Sequence, residues 1–191
     1  QAFLVDSSIY IFRSYFTLPE NWHSSVSGHP TNAVYGFTQF MLDFLLQKQP
    51  KYMFCAFDES LHSGFRHQLC GDYKSNRELP DEGLAFQLNA CRQLCTVLGI
   101  SHMASDKYEA DDLIGSMTFV VKDAGVQPVI ISRDKDLLQL IDDDTLYWDL
   151  GKAQPKVRRQ IEKELDIGCG QMADYLALVG DQSDSIVGVS G

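Results

Sequence analysis

Apolar residues along the chain follow two periods. Short, almost unbroken apolar runs, AFLVD at 2–6, YMFCAFD at 52–58, PVIIS at 128–132 and TLYWDL at 145–150, end in turn-like residues and read as buried strands. Between them the spacing becomes helical. Val34, Phe37, Phe40, Met41, Phe44 and Leu45 line one face of a helix that Asn32 would cap and that stops before Pro50. Leu84, Leu88, Cys91, Leu94, Cys95 and Leu98 repeat the pattern up to Gly99, with Cys91 and Cys95 on a shared face. Further helices are predicted near 110–123, 156–165 and 171–179. Strands apolar on both faces that alternate with helices predict an α/β three-layer domain around a mainly parallel sheet.

Two stretches break this rhythm. Residues 59–83, ESLHSGFRHQLCGDYKSNRELPDEG, are polar and carry Arg66, Lys74 and Arg77 with His62 and His67, the most basic part of the chain. Residues 180–191, GDQSDSIVGVSG, read as a glycine-rich turn leading into something more. The chain opens on Gln1 and stops at VGVSG without a closing element, so it reads as part of something longer.

The 191 residues, 45% hydrophobic and 22% charged, fit one ordinary globular domain and exclude disordered, collagenous and disulfide-scaffold classes. No apolar run approaches the ~18 residues of a membrane span, and no signal peptide opens the chain, so a cytoplasmic protein is expected. Five cysteines without a Cys-x-x-Cys favour neither a disulfide framework nor a zinc cluster. Phosphate loops of the Gly-x-x-x-x-Gly-Lys and Gly-x-Gly-x-x-Gly types are absent, and the histidines are scattered singly. The net charge of −10 argues against nucleic acid unless the carboxylates gather on divalent metals, which would turn an acidic patch into a phosphate-attracting one.

The acids are placed for that. Asp6 closes the first predicted strand, Asp58 the second, and Asp134 and Asp136 follow the PVIIS strand, so all four fall on the carboxyl edge of a parallel sheet, where ligands bind in open α/β folds. Glu109, Asp111 and Asp112 in YEADDLIG open a helix, and Asp181 and Asp184 in GDQSD follow another. Taken singly, EADD is more often a helix cap than a ligand set, and a lone Asp after a strand is usually a turn residue, as the acids of 142–144 are read. The coincidence of four clusters on one edge is the argument for function, because crowded like charges need a cation. Oxygen-only donors suit Mg²⁺ or Mn²⁺, and two such ions ~4 Å apart form the usual clamp for phosphodiester hydrolysis. Arg66, Lys74 and Arg77 would hold phosphates and Tyr73 would stack on a base, or the segment is simply a solvated loop. The mixed charges of KVRRQIEK at 156–163 read as an exposed helix face. A phosphatase with Asp6 as nucleophile ranks low, since Ser8 stands where its second Asp would be.

The strings LVDSS, PTNAVYGF, FDESLHSGFRHQ, DYKSNR, YEADDLIG, SRDKDLLQL and YLALVGDQSDSIVGVSG, in that order and spacing, resemble the 5′ nuclease family: the 5′-3′ exonuclease domain of bacterial DNA polymerase I, its stand-alone relatives and the phage flap endonucleases. The resemblance implies a PIN-like α/β fold over 1–180 with a basic arch or clamp at 59–83. It also implies a metal-dependent enzyme that hydrolyses DNA at 5′ ends and 5′ flaps in replication and repair, acting as a monomer away from membranes. By resemblance two Mg²⁺ or Mn²⁺ ions are held by Asp6, Asp58, Glu109, Asp111, Asp112, Asp134, Asp136, Asp181 and Asp184. Asp58, Asp111, Asp112 and Asp134 would favour the first ion and Asp136, Asp181 and Asp184 the second, with Asp134 bridging and Asp6 and Glu109 acting through water. Lys74, Arg77 and Asp134 take catalytic roles, and Arg66, Tyr73, Lys74 and Arg77 bind substrate. The pattern departs at the end, where Ser185 and Val187 replace an Asn and a Pro. Residues 181–191 then read as the start of a truncated helix-hairpin-helix, the element that grips duplex DNA. That departure keeps a second reading open, a catalytically weak relative that binds branched DNA.

Overall fold

A computed structural model describes residues 1–59, 64–77 and 79–189. His62 and Glu78, with the rest of 60–63 and the last two residues, lie outside the described residues, so the 59–83 and 181–191 segments are described in part.

Among the described residues five parallel strands form one sheet: β1 Ala2–Asp6, β2 Tyr52–Asp58, β3 Ser101–Ser105, β4 Pro128–Ile131 and β5 Leu146–Trp148, in the order β3-β2-β1-β4-β5. The four apolar runs are thus strands, and β3 is an addition. Its sequence, SHMAS, lacks the apolar signature because it is an edge strand whose residues stay half or wholly exposed. β1 makes the register clear: Leu4 pairs with Phe54 on one side and Ile130 on the other, and its residues alternate between two cores. Phe3 and Val5 face helices α1 Ser7–Thr17, α2 Asn32–Lys48 and α4 Glu82–Val97, with Phe37, Met41, Cys91 and Cys95 fully buried there. Leu4 faces α5 Ala110–Asp123, a 3-10 turn at Asp136–Leu140, α6 Arg158–Leu165 and α7 Met172–Val179. Burying one such Phe or Leu contributes ~1.5–3 kcal/mol. Two cores on a both-sides-buried sheet make the expected three layers.

Asn32 corrects the expected cap. It is the first residue of α2, and Thr31 before it makes no side-chain cap bond. The orphan N–H groups of Ala33 and Val34 instead donate to Gln87 Oε1 from α4, at 2.7 and 3.2 Å. Asn32 is then free to donate to the carbonyls of Tyr15 and Leu18 and to accept from Gln87 Nε2 at 3.0 Å. This buried amide pair locks α1, α2 and α4 together.

The basic segment contributes a short helix α3, Phe65–Leu69. At the other end β6 Gly180–Asp181 pairs with β7 Ile186–Val187 across a 3-10 turn, a small hairpin. A Cβ on Gly180, whose φ is +77°, would meet the Gly188 amide nitrogen at 2.4 Å, so only glycine permits that approach. No helix among the described residues is long and apolar enough to cross a membrane.

Candidate active site

The chain runs β1, β2, β3 towards one end of the sheet and β4, β5 towards the other, so the order reverses between β1 and β4. That switch point is where a crevice opens at the carboxyl edge. Asp6 and the loop after β4 meet across it. Ser132 Oγ donates to Asp6 Oδ2 at 2.8 Å and accepts the Asp134 N–H at 2.9 Å. Asp134 Oδ1 accepts the Asp136 N–H at 2.9 Å, and the Tyr147 hydroxyl donates to the Asp134 carbonyl at 3.0 Å.

The next strand is tied in the same way. Asp58 donates its N–H to Ser8 Oγ at 3.0 Å, and its Oδ1 accepts the N–H of Ala110, the first residue of α5, at 2.7 Å. That bond sets Glu109, Asp111 and Asp112 beside the ends of β1 and β2. Asp112 Oδ2 accepts the Glu109 N–H at 3.0 Å, so the helix-start reading holds for Asp112 even as the helix delivers it to the site.

The acids feel one another. Asp6, 4% exposed, is pushed up to about 7, first by burial and then by Asp58. Asp111 is raised to about 8 by burial, then by Asp6, Asp134 and Asp58. Asp136 is raised to about 6 by burial, then by Asp134, Asp181 and Asp184. Burial also raises Asp58. Each acid is shifted by others from different elements, so all the sequence-selected clusters share one electrostatic neighbourhood.

Four of the nine acids are held by side-chain cations. Arg66 clasps Asp112 through both terminal nitrogens, at 2.6 and 2.9 Å, and Lys74 Nζ reaches Glu109 Oε2 at 2.7 Å. Arg77 donates to Asp184 Oδ1 at 2.6 Å, and Lys135 Nζ stands 3.1 Å from Asp181 Oδ2. Burial works to raise Asp112, yet the Arg66 bond and the Glu109 N–H hold it below the usual range. Asp181 is held low by the Ser183 hydroxyl, with Lys135 adding to it. The Lys74 N–H also donates to the Asp184 carbonyl at 2.9 Å, docking the basic segment on the terminal hairpin.

Tyr73, expected to stack on a base, is instead 6% exposed, its ring against His67 and under Lys74 Nζ. Its hydroxyl lies 3.0 Å from Glu109 Oε2 and 3.2 Å from Asp184 Oδ2. A phenol between two buried carboxylates bonds better inward than a bare ring does outward, and the same contacts push its pKa up after burial has done so. Ser132 and Lys135 carry no role in the sequence reading, and Ser8 enters it only where a phosphatase would need a second Asp. Lys135 had a signal, a lone cation between two selected acids in SRDKD, while the two serines had none.

The donor set fits a hard divalent cation. All the donors are oxygens, and Asp136 Oδ1 is buried without a hydrogen-bond partner. Among the described residues no three acids, histidines or cysteines already converge as a finished cage. Arg66, Lys74, Arg77 and Lys135 each hold one of the carboxylates. Two grooves open on this cluster. One of about 850 Å³ is lined by Arg66, Asp111, Asp112, Asp136 and Asp184, and one of about 540 Å³ by Asp58, Lys74 and Arg77. Glu109 lines both, so the Lys74–Glu109 pair stands where they adjoin.

Fold and site together define a PIN-like α/β domain with an acid-lined carboxyl edge beneath a basic segment. Residues 1–166 match the family described as "5'-3' exonuclease, N-terminal resolvase-like domain", and the chain belongs to that family. It is 31% identical over 189 residues to a 5'-3' exonuclease of Aquifex aeolicus, spanning 99% of this chain and 64% of that protein. Over 194 residues it is 34% identical to DNA polymerase I of Caldicellulosiruptor bescii, spanning 98% of this chain and 22% of the polymerase. The chain thus covers somewhat under two thirds of the first relative and about a fifth of the second. Among solved structures it is similar in fold to the flap endonuclease of bacteriophage T5 in complex with DNA and metal ions, with a TM-score of 0.78 at 18% identity over 100% of this chain and 70% of that one.

Proposed function

We propose that this domain, residues 1–180 with its basic segment at 59–83, together with Asp181 and Asp184 that follow it, hydrolyses DNA phosphodiester bonds at 5′ ends and 5′ flaps. The observation that carries the reading is the gathering of Asp6, Asp58, Asp111 and Asp134 from three strand ends and one helix start at the switch point, where Asp58 and Asp134 raise Asp6 and all three raise Asp111, beside the cations of 66–77. When bound, two divalent ions, Mg²⁺ or Mn²⁺, would supply an activated water and charge neutralisation at the leaving oxygen. Asp58, Asp111, Asp112 and Asp134 would hold one ion and Asp136, Asp181 and Asp184 the other. Ser132 ties Asp6 to the loop that carries Asp134, and Ser8 accepts the Asp58 N–H at the end of β2, so that these three acids keep their places. Lys74 and Arg77, on the rim of the groove shared with Asp58, take the scissile phosphate by exchanging carboxylate for phosphate oxygens. Arg66 does so from the other groove.

One observation favours the rival reading of a DNA-binding relative with weak catalysis: Arg66, Lys74 and Arg77 are each committed to an acid. Incubating a 5′-labelled flap DNA and a matched single strand with the protein in Mg²⁺, Mn²⁺ or chelator separates the two. Metal-dependent cutting near the junction supports the nuclease, whereas binding without turnover supports the rival.

A further inference from the structure

At the β5 end of the sheet, on the other side of β1 from the basic segment, the carboxyl edge carries a second group of cations. The chain leaves β5 and turns straight back, so that Tyr147 and Lys156 pair backbone to backbone, with N–H to O distances of 3.1 and 2.7 Å. The intervening loop is tied to itself. The Lys152 N–H donates to the Asp149 carbonyl at 2.8 Å, Trp148 Nε1 donates to the Lys152 carbonyl at 3.0 Å, and the Gly151 N–H donates to Asp149 Oδ1 at 2.9 Å. This loop frames a cavity of about 210 Å³ lined by Arg133, Tyr147, Asp149, Lys152, Gln154 and Lys156. Arg133 stands 3.6 Å from Asp149 and Lys156 pairs with Glu164, which leaves three cations against two acids in a chain whose net charge is −10.

The cavity shares a wall with the site. Arg133 immediately precedes Asp134, and Tyr147, which lines the cavity, donates its hydroxyl to the Asp134 carbonyl. A strand laid over Asp134 and continued along the carboxyl edge towards β5 would carry a further phosphate to the cavity that Arg133 lines. We propose that this cavity seats a backbone phosphate of the DNA, next along the strand from the one hydrolysed. The proposal rests on the nuclease reading and adds to it a positioning contact that the acid cluster and the 66–77 cations do not supply. Contacts of this kind fix register without reading sequence, and a loop already held by its own bonds loses little freedom on making them.

The test is anisotropy of a labelled flap DNA with Ca²⁺ in place of Mg²⁺, titrated across a range of salt concentrations. The proteins compared are wild type, Lys152→Gln, Lys152→Glu, Lys152→Gln with Lys156→Gln, and Gln154→Lys. Each lost phosphate contact should flatten the slope of log K against log salt by roughly 0.9. The double variant and Lys152→Glu should bind several-fold more weakly at low salt, and Gln154→Lys should bind more tightly with a steeper slope. Melting temperatures equal to wild type establish that the variants are folded. Slopes and affinities unchanged across this series, with wild-type binding intact, would overturn the phosphate seat alone. A wild-type protein that binds no DNA would overturn the nuclease reading, and the seat with it.

Discussion

Arg66 holds Asp112 through both guanidinium nitrogens, at 2.6 and 2.9 Å, so a cation from the basic segment occupies an acid proposed to hold metal. The pairing makes a proposed substrate cation and a proposed metal ligand each other's partners. Because the Arg66 side chain is 31% exposed, the pair contributes only ~1 kcal/mol. Arg66→Ala should lower the melting temperature in chelator by ~2–4 °C. An unchanged melting curve would show the pair to be energetically silent.

A divalent ion should stabilise the fold, because it binds only where folding has brought the acids together. At a concentration 100 times its Kd the gain is ~2.7 kcal/mol. Thermal melts with chelator, Mg²⁺ and Mn²⁺ read this directly. Asp134→Asn with Asp181→Asn should abolish the metal-induced rise and the cleavage together. A rise of wild-type size in that variant would place the metal elsewhere.

The raised acids give the metal-free protein a pH dependence with a definite sign. A carboxyl whose pKa is higher in the folded state contributes stability below its ordinary 3.8 that is lost as the pH climbs through the folded value. For Asp136, Asp6 and Asp111 those values are about 6, 7 and 8. Asp112 and Asp181, held low, act oppositely and lose their contribution as the pH falls below 3.8. Stability in chelator should therefore fall from pH 5 to pH 8, and Mg²⁺ should reduce that fall by favouring the ionised forms. A melting temperature that rises over this range in chelator would contradict the assignment.

Lys74 and Glu109 form the most enclosed ion pair among the described residues, 2.7 Å apart with side chains 13% and 6% exposed. Lys74→Met takes the nearer cation from a buried carboxylate, leaving Arg66 Nη1 at 3.9 Å, and should cost ~3 kcal/mol. Adding Glu109→Gln should recover more than half of that in urea unfolding, since the loss belongs to the pair. On the proposed role of Lys74 at the scissile phosphate, cleavage by Lys74→Met should fall ~10²–10³-fold. Recovery of stability without recovery of cleavage is the expected combination.

Gln87→Leu leaves the Ala33 and Val34 N–H groups buried without an acceptor, at a cost of ~1–3 kcal/mol. Urea midpoints should drop while the metal-induced stabilisation remains. Equal loss of both would tie the α2 start to the site.

Period and strand-end position were enough to locate most of this protein in its sequence. The runs at 2–6, 52–58, 128–132 and 145–150 are strands because residues buried on both faces must be apolar on both, and a parallel sheet then sends Asp6, Asp58 and Asp134 to one edge. β3 is not legible because an edge strand needs no such burial, and α1 is not because SSIYIFRSYFT is crowded with β-branched and aromatic residues that mark no single helix face.

Local sequence carries what neighbouring residues impose on one another: the period of a strand, the start of α5 at YEADD, the glycine demanded at position 180. It does not carry which distant groups meet. That Gln87 would cap a helix 54 residues away, that Tyr73 would turn inward between Glu109 and Asp184, and that Arg66, Lys74, Arg77 and Lys135 would each take a carboxylate were decided by tertiary packing. Burial strengthens a charge pair and penalises a lone charge, and burial exists only once the layers have closed around the edge.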